Sequence, residues 1–145
     1  MSITTILNRK GTGVLTIRPD ATVRDAVSTL ARERVGALVV SSDGASVEGI
    51  ISERDVVSGL AAAGDAVLDR PVDAVMSADV TTCRANAAVD HVMAEMTHRR
   101  IRHLPVVEDG RLAGIISIGD VVKHRIDELE LETATLHEYV LGRRY

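Results

Sequence analysis

One nine-residue phrase occurs twice in this chain. Gly49-Ile50-Ile51-Ser52-Glu53-Arg54-Asp55-Val56-Val57 returns as Gly114-Ile115-Ile116-Ser117-Ile118-Gly119-Asp120-Val121-Val122. An internal repeat constrains the fold more than local propensity does, because both copies must form one supersecondary unit and bury matching faces. The repeat extends upstream. Asp20–Val57 aligns with Asn86–Val122 once a single extra residue is allowed in the turn after Gly44. Ala21/Ala87, Val23/Val89, Leu38/Leu104, Val40/Val106, Asp43/Asp109 and Gly44/Gly110 are identical pairs.

Each copy spells the same order of elements. A short strand (Val14–Ile17; Val80–Cys83) runs through Pro19-Asp20 or Ala85-Asn86 into a helix. Val23, Ala26, Val27 and Leu30, and likewise Val89, Val92, Met93 and Met96, have the spacing of one buried helical face. Two apolar strands follow, Ala37–Val40 with Gly49–Ser52 and His103–Val107 with Leu112–Ser117. Asp43-Gly44 and Asp109-Gly110 join them, the dipeptide of tight hairpins. A second helix begins after each Ser. The expected class is α+β: two β-α-β-β-α repeats packed as a pseudo-two-fold pair, plus a C-terminal helix. The expected boundaries are residues 1–13 for an N-terminal segment, 14–70 and 71–125 for the repeats, with Gly64–Pro71 as the link, and 126–145 for the final helix. On that helix Val122, Ile126, Leu129, Thr133, Leu136 and Val140 form a heptad seam suited to a partner subunit or the module's own flank, and Gly142 is expected to end it.

At 145 residues, with 46% apolar and 26% charged residues, the chain is long enough for one compact domain with a real core. It contains no Trp or Phe, and its two Tyr are Tyr139 and Tyr145, so the core is aliphatic and bases cannot be held by aromatic stacking. A net charge of -4 supplies no basic field for nucleic acid, and Arg99, Arg100 and Arg102 form the one local basic patch. The single cysteine, Cys83, excludes an internal disulfide framework. No apolar run nears the ~18 residues of a membrane span, and no secretory signal opens the chain; a cytoplasmic location is expected. His91, His98, His124 and His137 lack metal-ligand spacing, and no nucleophile or carboxylate pair marks an enzyme.

The repeated Ser-x-x-Asp has two readings. Ser52 and Ser117 are good helix N-caps, and Asp55 and Asp120 stand where a capping box returns the hydrogen bond. The same geometry suits a ligand. Free amides at a helix N-terminus favour phosphate, the hydroxyl adds a donor, and a carboxylate one turn on can accept both hydroxyls of a ribose.

These residues, with Ile101-Arg102-His103-Leu104-Pro105-Val106-Val107-Glu108-Asp109-Gly110, closely resemble the CBS motif, named for cystathionine β-synthase, whose tandem pair forms a Bateman module. The resemblance covers residues ~14–122, and the whole chain is similar to small stand-alone bacterial pair proteins and to organellar plant ones. It implies a non-catalytic regulatory module that binds AMP, ADP or ATP between its repeats and signals occupancy to an effector protein. Homodimers are expected, and catalytic cofactors are not. It also implies site residues. Asp55 and Asp120 would grip ribose, with Ser52 and Ser117 beside them, and Thr16 and Thr82 would reach the ligand. Ala37-Leu38 and His103-Leu104-Pro105 would enclose adenine, with Ile50, Ile51, Ile115 and Ile116 as apolar walls. Arg102 and His103 in one copy, and Arg54 in the other, would meet phosphate. NAD(H) or S-adenosylmethionine in the same cleft is an alternative reading, and nucleic-acid binding through Arg99, Arg100 and Arg102 is one of another class.

Overall fold

In the computed structural model, which describes residues 1–142, the first copy forms the expected unit, and the second forms it without its leading strand and with its last helix continuous with the expected C-terminal one. The first contains β1 (Thr16–Ile17), α2 (Val23–Glu33), β2 (Ala37–Val40), β3 (Gly49–Ser52) and α3 (Glu53–Ala63), preceded by α1 (Ile3–Lys10). β2 pairs parallel with β1 and antiparallel with β3, with Leu38 opposite Ile51. The second contains α4 (Val89–Arg99), β4 (His103–Glu108), β5 (Arg111–Ser117) and α5 (Ile118–Gly142), with Leu104 opposite Ile116. Each sheet packs its apolar face on the helix of its own copy, so there are two aliphatic cores rather than one.

The helices start where the local chemistry permits. Thr22 Oγ1 accepts from the Asp25 amide at 3.1 Å and the Thr22 amide donates to Asp25 Oδ2 at 3.4 Å, a reciprocal capping box. Val23, Ala26 and Leu30 then face the core, as do Val89, Val92 and Met96 in α4. Val27 is a correction to the expected face: it is exposed, because the apolar stripe of α2 is too narrow to include it. Both helices end on arginines in the left-handed region, Arg34 and Arg100, each at φ 55°.

The turns differ between copies for physical reasons. Asp109 and Gly110 both have positive φ, 50° and 74°, the demand of a two-residue type I′ hairpin. Asp43-Gly44 does not make that hairpin. Its loop is wider, and Asp43 Oδ1 instead gathers the amides of Ala45 and Ser46, each at 2.8 Å, and the Ser41 and Ser46 hydroxyls. Those bonds, led by Ser46 and Ala45, hold the Asp43 carboxyl far below the usual carboxylate range. The expected strand Val80–Cys83 contracts to one parallel bridge, Cys83 to Val106. The cause is Pro105. Its equivalent Val39 donates its amide to Leu15 at 3.3 Å, whereas proline has no N–H to extend the ladder.

The leading segments of the two copies are exchanged. The Ile3 and Thr4 amides donate to Ala87 and Ala85, each at 2.9 Å, and the Val89 amide donates to Met1 at 3.1 Å. Correspondingly, the Val72 and Asp73 amides donate to Ala21 (2.7 Å) and Pro19 (3.1 Å), and the Val23 amide to Arg70 (2.9 Å). Thus Ile3, Ile6 and Leu7 belong to the core of the second repeat, and Val72 belongs to that of the first. A Cβ on Gly114 would lie 2.7 Å from Leu7 Cδ2, and one on Gly49 would strike Met76, so each bare glycine admits the other copy's leading segment.

Val121 and His124 bury the first turns of α5. Beyond them the heptad seam leaves the module's flank uncovered: Leu129 and Leu136 are 54% and 64% exposed. The helix is described through Gly142; the end expected there, and Tyr145, lie outside the described residues. No described helix is long and apolar enough to cross a membrane.

Candidate functional site

Both Ser-x-x-Asp segments close as caps. The Ser52 amide donates to Asp55 Oδ2 at 2.9 Å and the Ser117 amide to Asp120 Oδ2 at 2.9 Å. The Asp120 amide returns a bond to Ser117 Oγ at 3.1 Å, and the Asp55 amide one to Ser52 Oγ at 3.4 Å. The surroundings then diverge. Among the described residues the Asp55 carboxylate is engaged only by hydroxyls and an amide: besides the Ser52 amide, Ser52 Oγ donates to Oδ2 at 3.0 Å and Ser77 Oγ to Oδ1 at 3.1 Å. Asp120 Oδ2 instead holds an ammonium, Lys10 Nζ, at 2.6 Å. Burial opposes the Asp120 carboxylate, but Lys10 and the Ser117 bonds outweigh it and hold the group below the usual carboxylate range. Among the described residues Asp120 Oδ1 accepts no hydrogen bond.

Asp120 looks into a cavity of about 390 Å³ between the repeats. Gly13, Leu15, Val35, Gly36 and Ala37 come to it from the first repeat, and Ile115, Ser117 and His103 from the second. Lys10 and Arg34 add two cations. The positive φ of Arg34 turns the chain out of α2 at the edge of this cavity. His103 lies against Gly36, where a Cβ would stand 3.1 Å from its Cε1. Burial holds the His103 imidazole below its usual value; Glu53 and Asp120 oppose that, and Lys10 and Arg102 reinforce it. A small second cavity of about 130 Å³, beside His124, shares Lys10 and Asp120 as its wall.

Of the residues singled out from sequence, Ala37, His103, Ser117 and Asp120 line this one cavity, with Ile115. Ser52, Arg54, Asp55, Ile50, Thr16, Thr82 and Arg102 are not among its lining residues. Leu38, Ile51, Leu104 and Ile116 have their side chains in the two cores, so these four can offer a ligand only backbone; Pro105 is buried beside them. Strand alternation is the reason: with Ile51 and Ile116 turned inward, Ile50 and Ile115 face the other way. Arg102 is exposed, and its carbonyl accepts the Ile118 amide at 2.8 Å, as Gly36 does for Glu53 at 3.0 Å. Lys10, Arg34 and Gly36 escaped the sequence reading. Arg34 had a signal, since Arg100 repeats it, but Lys10 precedes the aligned segment.

Other reactive groups are quiet. Burial, with Glu108 nearby, pushes the Cys83 thiol up to about 11, so it is not a nucleophile near neutrality. His124 is buried with Glu128 at 3.5 Å. Among the described residues no group of three His, Cys, Asp or Glu could hold a metal.

Comparison with known proteins agrees with this architecture. The family model described as CBS domain matches residues 10–62 and 72–127. The CBS domain-containing protein CBSX3, mitochondrial, of Arabidopsis thaliana is 36% identical over 127 residues, 85% of this chain, which spans 62% of that relative's length. The crystal structure of the CBS-domain containing protein ATU1752 from Agrobacterium tumefaciens superposes with a TM-score of 0.83 at 46% identity, covering 86% of this chain and 99% of that one. The CBS domain pair of protein MJ0100, solved in complex with 5′-methylthioadenosine and S-adenosyl-L-methionine, shares the fold at 23% identity, with a TM-score of 0.78 over 88% of this chain and 98% of that one.

Proposed function

This chain belongs to the CBS domain family, and from that premise we propose that it is a non-catalytic sensor of an adenine nucleotide (AMP, ADP or ATP), bound in the cleft between its repeats. The observation that carries the reading is the constellation around Asp120. A carboxylate with an open oxygen and a helix N-terminus at Ser117 face two cations, Lys10 and Arg34, in one cavity. Ribose hydroxyls suit the carboxylate, and phosphate suits the cations. Leu15, Val35 and Ile115 supply an apolar face for a base. A cavity of this size is at the small end for ligand sites and fits a mononucleotide better than both halves of NAD. The adenosyl compounds bound by the MJ0100 pair support the ligand class. The sulfonium of S-adenosylmethionine would meet Lys10 and Arg34, so a phosphate is the better complement. Nucleic acid is the weaker reading, because Arg99 is already committed to Glu95 at 2.8 Å and no aromatic platform accompanies Arg100 and Arg102.

Calorimetric titration with AMP tests the assignment. Asp120→Asn keeps the shape and removes the charge that accepts the diol. Hydrogen bonds to a charged group are worth about 1.5–3 kcal/mol, so AMP binding should weaken by about ten- to a hundredfold. Unchanged affinity in the variant, or no heat from the wild type, overturns the reading.

Occupancy reaches a partner only if the ligand binds two arrangements of the module unequally. The α5 seam is the natural contact for a second copy, since Ile126, Leu129, Leu136 and Val140 are exposed at heptad spacing. Sedimentation should find a homodimer that Leu129→Asp with Leu136→Asp converts to monomer; a wild-type monomer would remove the seam from the proposal.

A further inference from the structure

The pairing of Lys10 with Asp120 bears on which adenosine compounds the cleft accepts. Lys10 Nζ donates to Asp120 Oδ2 at 2.6 Å and to the Ile115 carbonyl at 2.9 Å. The two side chains are 30% and 23% exposed, so neither is freely solvated. Both also line the cleft, so whatever enters meets the ion pair itself. A vicinal diol gripped by both carboxylate oxygens needs Oδ2 as well as the open Oδ1. Oδ2 already carries the Ser117 amide and the ammonium. For the full grip to form, Lys10 has to give up that oxygen.

We infer that Lys10 is an exchangeable partner of Asp120, passing from the carboxylate to the phosphate of an incoming adenine nucleotide and so selecting phosphorylated ligands over bare nucleosides. This rests on the nucleotide reading of the cleft and says which chemistry within that class it takes. The electrostatic logic is simple. A neutral nucleoside that claims Oδ2 leaves an ammonium without its anion in a half-buried place, which is costly. A nucleotide brings a replacement anion on the same molecule, and Arg34 lines the same cavity to share it. The chain allows the movement. Lys10 is the last residue of α1, and Gly11, at φ 93° and with nothing within 4 Å of where a Cβ would stand, follows it.

The other copy is the internal comparison. At Asp55 the leading segment contributes Ser77 Oγ, a neutral hydroxyl, at 3.1 Å. A diol arriving there displaces no charge, so the demand for phosphate belongs to the Asp120 side alone.

The test titrates AMP and adenosine separately into wild type, Lys10→Met and Lys10→Arg. Wild type should prefer AMP. Lys10→Met should weaken AMP by about tenfold, the loss of one charge-assisted contact. The same variant should bind adenosine about threefold more tightly, because the competitor for Oδ2 is gone. Lys10→Arg should restore the preference for AMP. Equal weakening of both ligands in Lys10→Met would make Lys10 merely structural and overturn the inference, as would unchanged AMP affinity. A wild type that binds both ligands equally overturns the exchange while sparing the nucleotide reading. One that binds neither overturns both.

Discussion

Replacing Ile3 with alanine will destabilise the second repeat, not the first that it precedes. Ile3 is fully buried in a cluster with Val89, Val92, Met96, Leu104 and Ile116. Truncating such a side chain costs about 2–5 kcal/mol, a large share of the roughly 5–15 kcal/mol that holds a domain folded. Denaturant titration reads the loss, and double-mutant cycles show where it falls. Ile3→Ala combined with Val89→Ala should deviate from additivity, because both line one core. Combined with Val23→Ala, in the other core, the losses should add to within about 0.5 kcal/mol. Coupling to Val23 and none to Val89 would contradict the exchanged arrangement.

Gly36→Val will close the cleft from within. A Cβ there already stands 3.1 and 3.2 Å from the His103 ring, and Gly36 lines the cavity proposed to hold the nucleotide. Alanine asks His103 to yield by a few tenths of an ångström. The two further methyls of valine have to press on His103 or fill ligand space. AMP binding should fall by about a hundredfold or more, equivalent to about 2.7 kcal/mol. The matched control is Gly142→Val, since a Cβ at Gly142 meets nothing within 4 Å among the described residues and Gly142 lies outside the cavity lining. Calorimetry of both variants decides it; an AMP affinity in Gly36→Val equal to wild type would mean that the nucleotide sits elsewhere.

Much of this architecture is legible in the primary structure because it is local. The faces Val23-Ala26-Leu30 and Val89-Val92-Met96, the Asp109-Gly110 hairpin and the caps at Ser52 and Ser117 depend on residues a few positions apart. What escaped is non-local. α1 has eight residues and no side-chain cap bond at Ser2, too little to announce a helix; it persists because Ile3, Ile6 and Leu7 bury against the distant repeat. The Lys10–Asp120 contact joins residues at opposite ends of the module, beyond any periodic pattern. The short strand before α4 failed for one missing N–H, at Pro105, which matters only once the register is known. Asp43-Gly44 likewise matched a hairpin signal, but its single extra loop residue let the carboxylate organise a wider turn.

The exchanged leading segments also set an order of events during synthesis. The core of the first repeat is complete once Val72 and Met76 have been made, so that copy can close early. α1, finished by Lys10, must wait for Val89 through Ile116 before its seat exists. At ordinary elongation rates the delay is on the order of ten seconds, far longer than a small domain takes to fold. Throughout it Ile3, Ile6 and Leu7 lack the surface they will occupy, and a chaperone or an early neighbour on a polysome can find them first. Residues made well before the second repeat are among the last to reach their place.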